Sequence, residues 1–73
     1  MIDMYLHYGV HLCGQYPDKE TAIRDAAGTL TDLLNAENWS PEMASRIRAI
    51  RDLILSGVDQ ISINGIEVFA LQE

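Results

Sequence analysis

His7, His11 and Cys13 carry the most reactive side chains of this chain. Imidazole and thiolate are the ligands of zinc-like ions, and a thiol beside an imidazole is the core of a cysteine nucleophile. Spacing decides whether they act together. On a helix, positions i and i+4 share a face and could grip one ion; on a strand the same pair lies about 13 Å apart. The alternation around these residues is that of a strand, so His7 and His11 are expected too far apart to share a metal. His11 and Cys13 are expected on one face at about 6–7 Å. Two ligands do not make a site, and an open sheet face offers neither a pocket nor oxyanion donors. No metal centre, catalytic site or cofactor is therefore expected.

Asp18, Asp25 and Asp32 repeat at heptad spacing. On a helix they form one line, each about 10.5 Å from the next. The whole chain has 11 acidic and 5 basic residues, a net charge of −6. Such a chain is repelled by nucleic acid phosphates and attracted to basic surfaces. Direct nucleic acid binding is not expected; a protein partner with a basic surface is, with Asp25 and Asp32 facing it. Arg46, Arg48 and Arg51 sit on a second helix. They are expected to pair with acids of the first helix and to cover core edges with their aliphatic stems.

The elements that must position these groups follow from periodicity. From Asp3 to Cys13, Met4, Leu6, Tyr8, Val10 and Leu12 alternate with Tyr5, His7, Gly9, His11 and Cys13, which predicts one strand with the first set facing the core. Gly9 marks a bulge or a close approach. Asp18 is a good N-cap, and Ile23, Ala27, Leu30 and Leu34 form an apolar stripe, predicting a helix over roughly Lys19 to Asn35. Ser40-Pro41-Glu42 opens a second helix, Met43, Ile47, Ile50 and Ile54 line it, and Gly57 ends it. Asn64-Gly65 between two alternating runs predicts a two-residue hairpin. The order is β-α-α-β-β. The expected fold is α+β: a three-stranded antiparallel sheet, the first strand beside the last, with two helices packed on one face.

A two-residue turn sets Ile63 opposite Ile66, Ile61 opposite Val68, Gln60 opposite Phe69 and Val58 opposite Leu71. Ile61, Ile63, Ile66, Val68 and Ala70 then face the core. Tyr5, His7, His11, Val58, Phe69 and Leu71 share the outer sheet face. Apolar and aromatic groups gathered there would serve a partner or a second copy.

With 73 residues, the chain is expected to form a single compact domain over 1–73. Cys13 is the sole cysteine, so no disulfide framework exists. No stretch has the ~18 apolar residues of a membrane span, and the N-terminus lacks a signal-peptide pattern, so a cytoplasmic protein is expected. In size, charge and architecture the chain resembles the small acidic proteins of phages and mobile elements, among them the anti-CRISPR inhibitors. That resemblance implies a compact α+β domain that acts by binding, presenting acids where a target expects nucleic acid. The expected function is that of a small non-catalytic inhibitor docking on a basic, nucleic-acid-handling complex. The alternative is a homodimeric structural or regulatory module, or an accessory subunit, joined through the outer sheet face.

Overall fold

The computed structural model describes all 73 residues. It contains β1 (Ile2–His7), β2 (His11–Tyr16), α1 (Lys19–Ala36), α2 (Pro41–Leu55), β3 (Gln60–Ile63) and β4 (Ile66–Gln72). The sheet is antiparallel in the order β2-β1-β4-β3. Two hairpins thus lie side by side, and the first and last segments of the chain form the two central strands. The expected pairing of the first strand with the last is present, with Leu6 opposite Phe69.

The sheet has four strands rather than three. What reads as one strand from Asp3 to Cys13 is a hairpin that reverses over Tyr8, Gly9 and Val10. Gly9 adopts φ +71°, in the region that side chains disfavour. A Cβ there would also come within 3.1 Å of Leu33 Cδ2, so the turn rests closely on α1. The turn has three residues, and His7 pairs with His11. An odd number of turn residues preserves side-chain parity across the reversal. Met4, Leu6 and Leu12 therefore stay on the inner face, as in a continuous strand.

The second hairpin has the expected turn, with Asn64 at φ 54° and Gly65 at φ 79°, and Ile63 sits opposite Ile66. Its register then shifts. Ser62 pairs with Glu67 but Ile61 pairs with Phe69, leaving Val68 as the extra residue of a β-bulge. The expected pairs Ile61–Val68 and Gln60–Phe69 are replaced by Ile61–Phe69 and Gln60–Ala70. Beyond the bulge every side chain of β4 is on the opposite face from that expected. Phe69 points inward and is fully buried, while Ile66, near the turn, is 68% exposed.

The helices form where the caps and stripes predict. Asp18 accepts from the Thr21 backbone N–H and hydroxyl, each at 2.8 Å. Ser40 accepts from the Met43 N–H at 3.2 Å, and Gly57 leaves α2 with φ +97°. The core joins one face of each helix to the inner sheet face: Ala22, Ala26 and Leu30 of α1, Ile47, Ile50 and Ile54 of α2, and Met4, Leu6, Ile61 and Phe69 of the sheet. Three small residues on α1, Ala22, Ala26 and Ala27, are buried, which lets that helix approach its neighbours closely. Trp39 closes the helix connection by donating its indole N–H to the Leu33 carbonyl at 2.8 Å.

Candidate interaction surfaces

The outer sheet face is more polar than expected. Phe69 lies in the core, and Leu71 lies opposite Met4, half-buried against that core. Val58 likewise packs against the core cluster. All three were expected outside; the bulge at Val68 is the reason for Phe69 and Leu71. Of the expected outer set, Tyr5 is half-buried there and His7 and His11 are exposed. Ala70, also on this face, is covered between its cross-strand partners Tyr5 and Gln60. The apolar surface that would join two copies through this face is accordingly reduced.

The first hairpin brings together groups that a single strand would separate. His7 and His11 are direct cross-strand neighbours, their ring centroids 5.0 Å apart rather than about 13 Å between backbone positions. Tyr5 sets its ring edge-on to both, at 6.3 and 5.9 Å. Cys13 Sγ lies 3.3 Å from His11 Nε2, and the Tyr5 hydroxyl lies 3.4 Å from His7 Nδ1. As these side chains stand, no three metal-ligating groups converge on one point.

The acids of α1 are exposed as expected, but the three aspartates of the line have different employments. Asp18 caps the helix, and the Thr21 N–H followed by the Thr21 hydroxyl holds its carboxyl below the usual value, with the Arg24 charge helping. Asp25 accepts a hydrogen bond from the Tyr16 hydroxyl of β2. That bond, with burial and the Asp25 charge, pushes the Tyr16 phenol up to about 12. Asp32 forms no hydrogen bond or ion pair with a side chain.

The arginines of α2 do not reach α1. Arg46 pairs with Glu42 at 3.0 Å and Arg51 with Asp52 at 3.3 Å, both within their own helix. Helix spacing makes Glu42–Arg46 the nearer solution, since i and i+4 are neighbours on one face. On α1, Arg24 pairs with Glu20, while Lys19 ties the start of the helix to Asp59 at 2.8 Å and to the Gly57 carbonyl at 3.0 Å. Four acids are thus matched by four bases. Seven acids and Arg48 have no ionic partner, so the whole net charge of −6 resides on unpaired groups. Asp32 and Glu37 are two of these. Glu37 is the C-cap of α1, whose last turn holds no basic residue, where the helix dipole disfavours negative charge; Asp32 precedes that turn.

No helix is long and apolar enough to cross a membrane. No protein-family model matches the chain, no curated protein is similar to it, and no solved structure matches its fold.

Proposed function

We propose that this protein is a small non-catalytic inhibitor, of the anti-CRISPR type, that docks on a basic, nucleic-acid-handling protein complex and blocks it sterically or by acidic mimicry. It acts in the cytoplasm, that of the host cell if a phage encodes it. Docking runs along α1, through Asp32 with Glu37 beyond it and Asp25 before it. The observation that carries this reading is the placement of Asp32 and Glu37. Both lack a basic partner, and Glu37, the C-cap, sits where a negative charge costs the helix stability. A charge kept against the fold's own preference points to a role outside the fold. Asp25 holds Tyr16 through one oxygen and remains exposed. A target's lysines and arginines meet the same sign of charge that phosphates present, and the attraction is long-ranged at low salt.

Affinity capture from the native host tests this. Wild-type protein is compared with the Asp32→Lys/Glu37→Lys double variant, at low and at high salt. A nucleic-acid-handling complex retained by wild type at low salt, released by high salt and lost by the variant supports the reading. Equal retention by both proteins contradicts it.

A further inference from the structure

We propose that His7, His11 and Cys13 form a metal site at the end of the β1–β2 hairpin, taking one borderline divalent ion of the Zn²⁺ or Co²⁺ class. Two imidazoles and one thiolate are the donor set such ions prefer, and three protein ligands leave a fourth position for water. The hairpin supplies the proximity. His7 and His11 form the last cross-strand pair before the turn, and Cys13 follows His11 on the same face of β2. Side chains directly opposite in an antiparallel ladder have Cβ atoms about 4.5–5.5 Å apart.

One separation already matches a shared ion. Cys13 Sγ and His11 Nε2 are 3.3 Å apart. Bonds of about 2.3 Å to sulfur and about 2.0–2.1 Å to nitrogen, at tetrahedral angles, set two ligands at nearly that distance. The ring of His7 stands 5.0 Å from that of His11, within reach of the same ion once the His7 ring turns. His7 is exposed, so its ring turns without disturbing the core. The ion supplies the convergence that the free side chains lack. Tyr5 stands beside the site as an outer partner, its hydroxyl 3.4 Å from the His7 ring. Binding releases the thiol proton to solvent, since only the thiolate is a ligand. The backbone beneath is held by the ladder and by the packing of Gly9 on Leu33, so the three positions are preset. None of the three side chains is a carboxylate, which separates this site from the acidic docking surface.

The test is a Co²⁺ titration of the reduced full-length chain, followed by absorption. The expected result is one ion per chain, with a thiolate-to-cobalt charge-transfer band and the visible bands of a tetrahedral site, all lost on adding Zn²⁺. Cys13→Ser removes the charge-transfer band. His7→Ala and His11→Ala each weaken binding by more than about tenfold, the least that loss of even an outer partner brings. Circular dichroism of each variant confirms that the fold is kept. Absence of the charge-transfer band overturns the proposal. So does Co²⁺ affinity unchanged in the three variants, which would place the ion on surface carboxylates. Two chains per ion would overturn it as well.

Discussion

Ile61 and Phe69 sit opposite each other across the β3–β4 ladder, both buried against the helices. This pairing exists only because Val68 is an extra residue on β4, and it makes Phe69 the largest fully buried side chain. Truncating it leaves a cavity that close-packed neighbours fill only in part. Phe69→Ala should cost about 3–5 kcal/mol in urea unfolding. Phe69→Asp should abolish the cooperative transition, because a charge would be buried without a partner. A folded Phe69→Asp variant melting near wild type would return Phe69 to the outer face.

Both departures from the expected fold have one physical origin, side-chain parity. Reversal over three residues keeps odd and even positions on their faces, so Met4 to Leu12 alternates as one strand would. Gly9 was the visible signal, and its positive φ is the turn itself. The bulge at Val68 works the other way: it switches faces where the Asn64-Gly65 turn alone predicts none. Nothing in the alternation from Ile66 to Leu71 marks it, because Val68, Phe69 and Ala70 are all apolar and all buried. The caps at Asp18 and Ser40 and the stripes through Leu30 and Ile50 were legible because capping and helical spacing are local. The meeting of His7 with His11, and of Tyr16 with Asp25, depended on the unseen hairpin.

Glycine substitutions separate turn from helix. Gly9→Ala should destabilise by more than about 1 kcal/mol, since it combines positive φ with a close approach to Leu33. Gly28 is exposed within α1, and a Cβ there meets nothing within 4 Å. Gly28→Ala should therefore stabilise, by about 1 kcal/mol. Thermal melts of the two variants should move in opposite directions. A Gly9→Ala protein as stable as wild type would contradict the tight turn.

The Tyr16–Asp25 bond should appear at alkaline pH. Tyr16 ionises at about 12 in the folded chain, against the ordinary 10.0. Its folded value is raised, so the stability it contributes is fully present below pH 10 and is lost as pH rises from 10 towards 12. The stability difference between wild type and Tyr16→Phe should shrink across that window. In a spectrophotometric titration, the phenol that ionises at about 12 should be missing from Tyr16→Phe. A difference independent of pH would show that the bond adds nothing. Asp18, held low by Thr21, works at the other end: its contribution is present above the ordinary carboxylate value and lost as acidification reaches its lowered one.

Asp32→Lys/Glu37→Lys should raise the melting temperature, because it replaces the acid at the C-cap of α1 with a base. Each favourable charge there contributes about 0.3–1 kcal/mol at low salt. The same variant should lose docking. Gain of stability with loss of binding separates a functional acidic surface from a merely solvated one. A variant that is less stable than wild type would mean that these acids serve the fold.

The most direct test is target-DNA binding by a panel of purified CRISPR effector complexes, with and without this protein. The prediction is that one complex loses DNA binding at stoichiometric protein. Added salt should weaken the inhibition steeply, as expected for Coulomb attraction screened over about 8 Å at physiological ionic strength. The Asp32→Lys/Glu37→Lys variant, folded and more stable, should fail to inhibit. If every complex binds DNA unchanged at saturating protein, or if the variant inhibits as well as wild type, acidic docking on such a complex is contradicted.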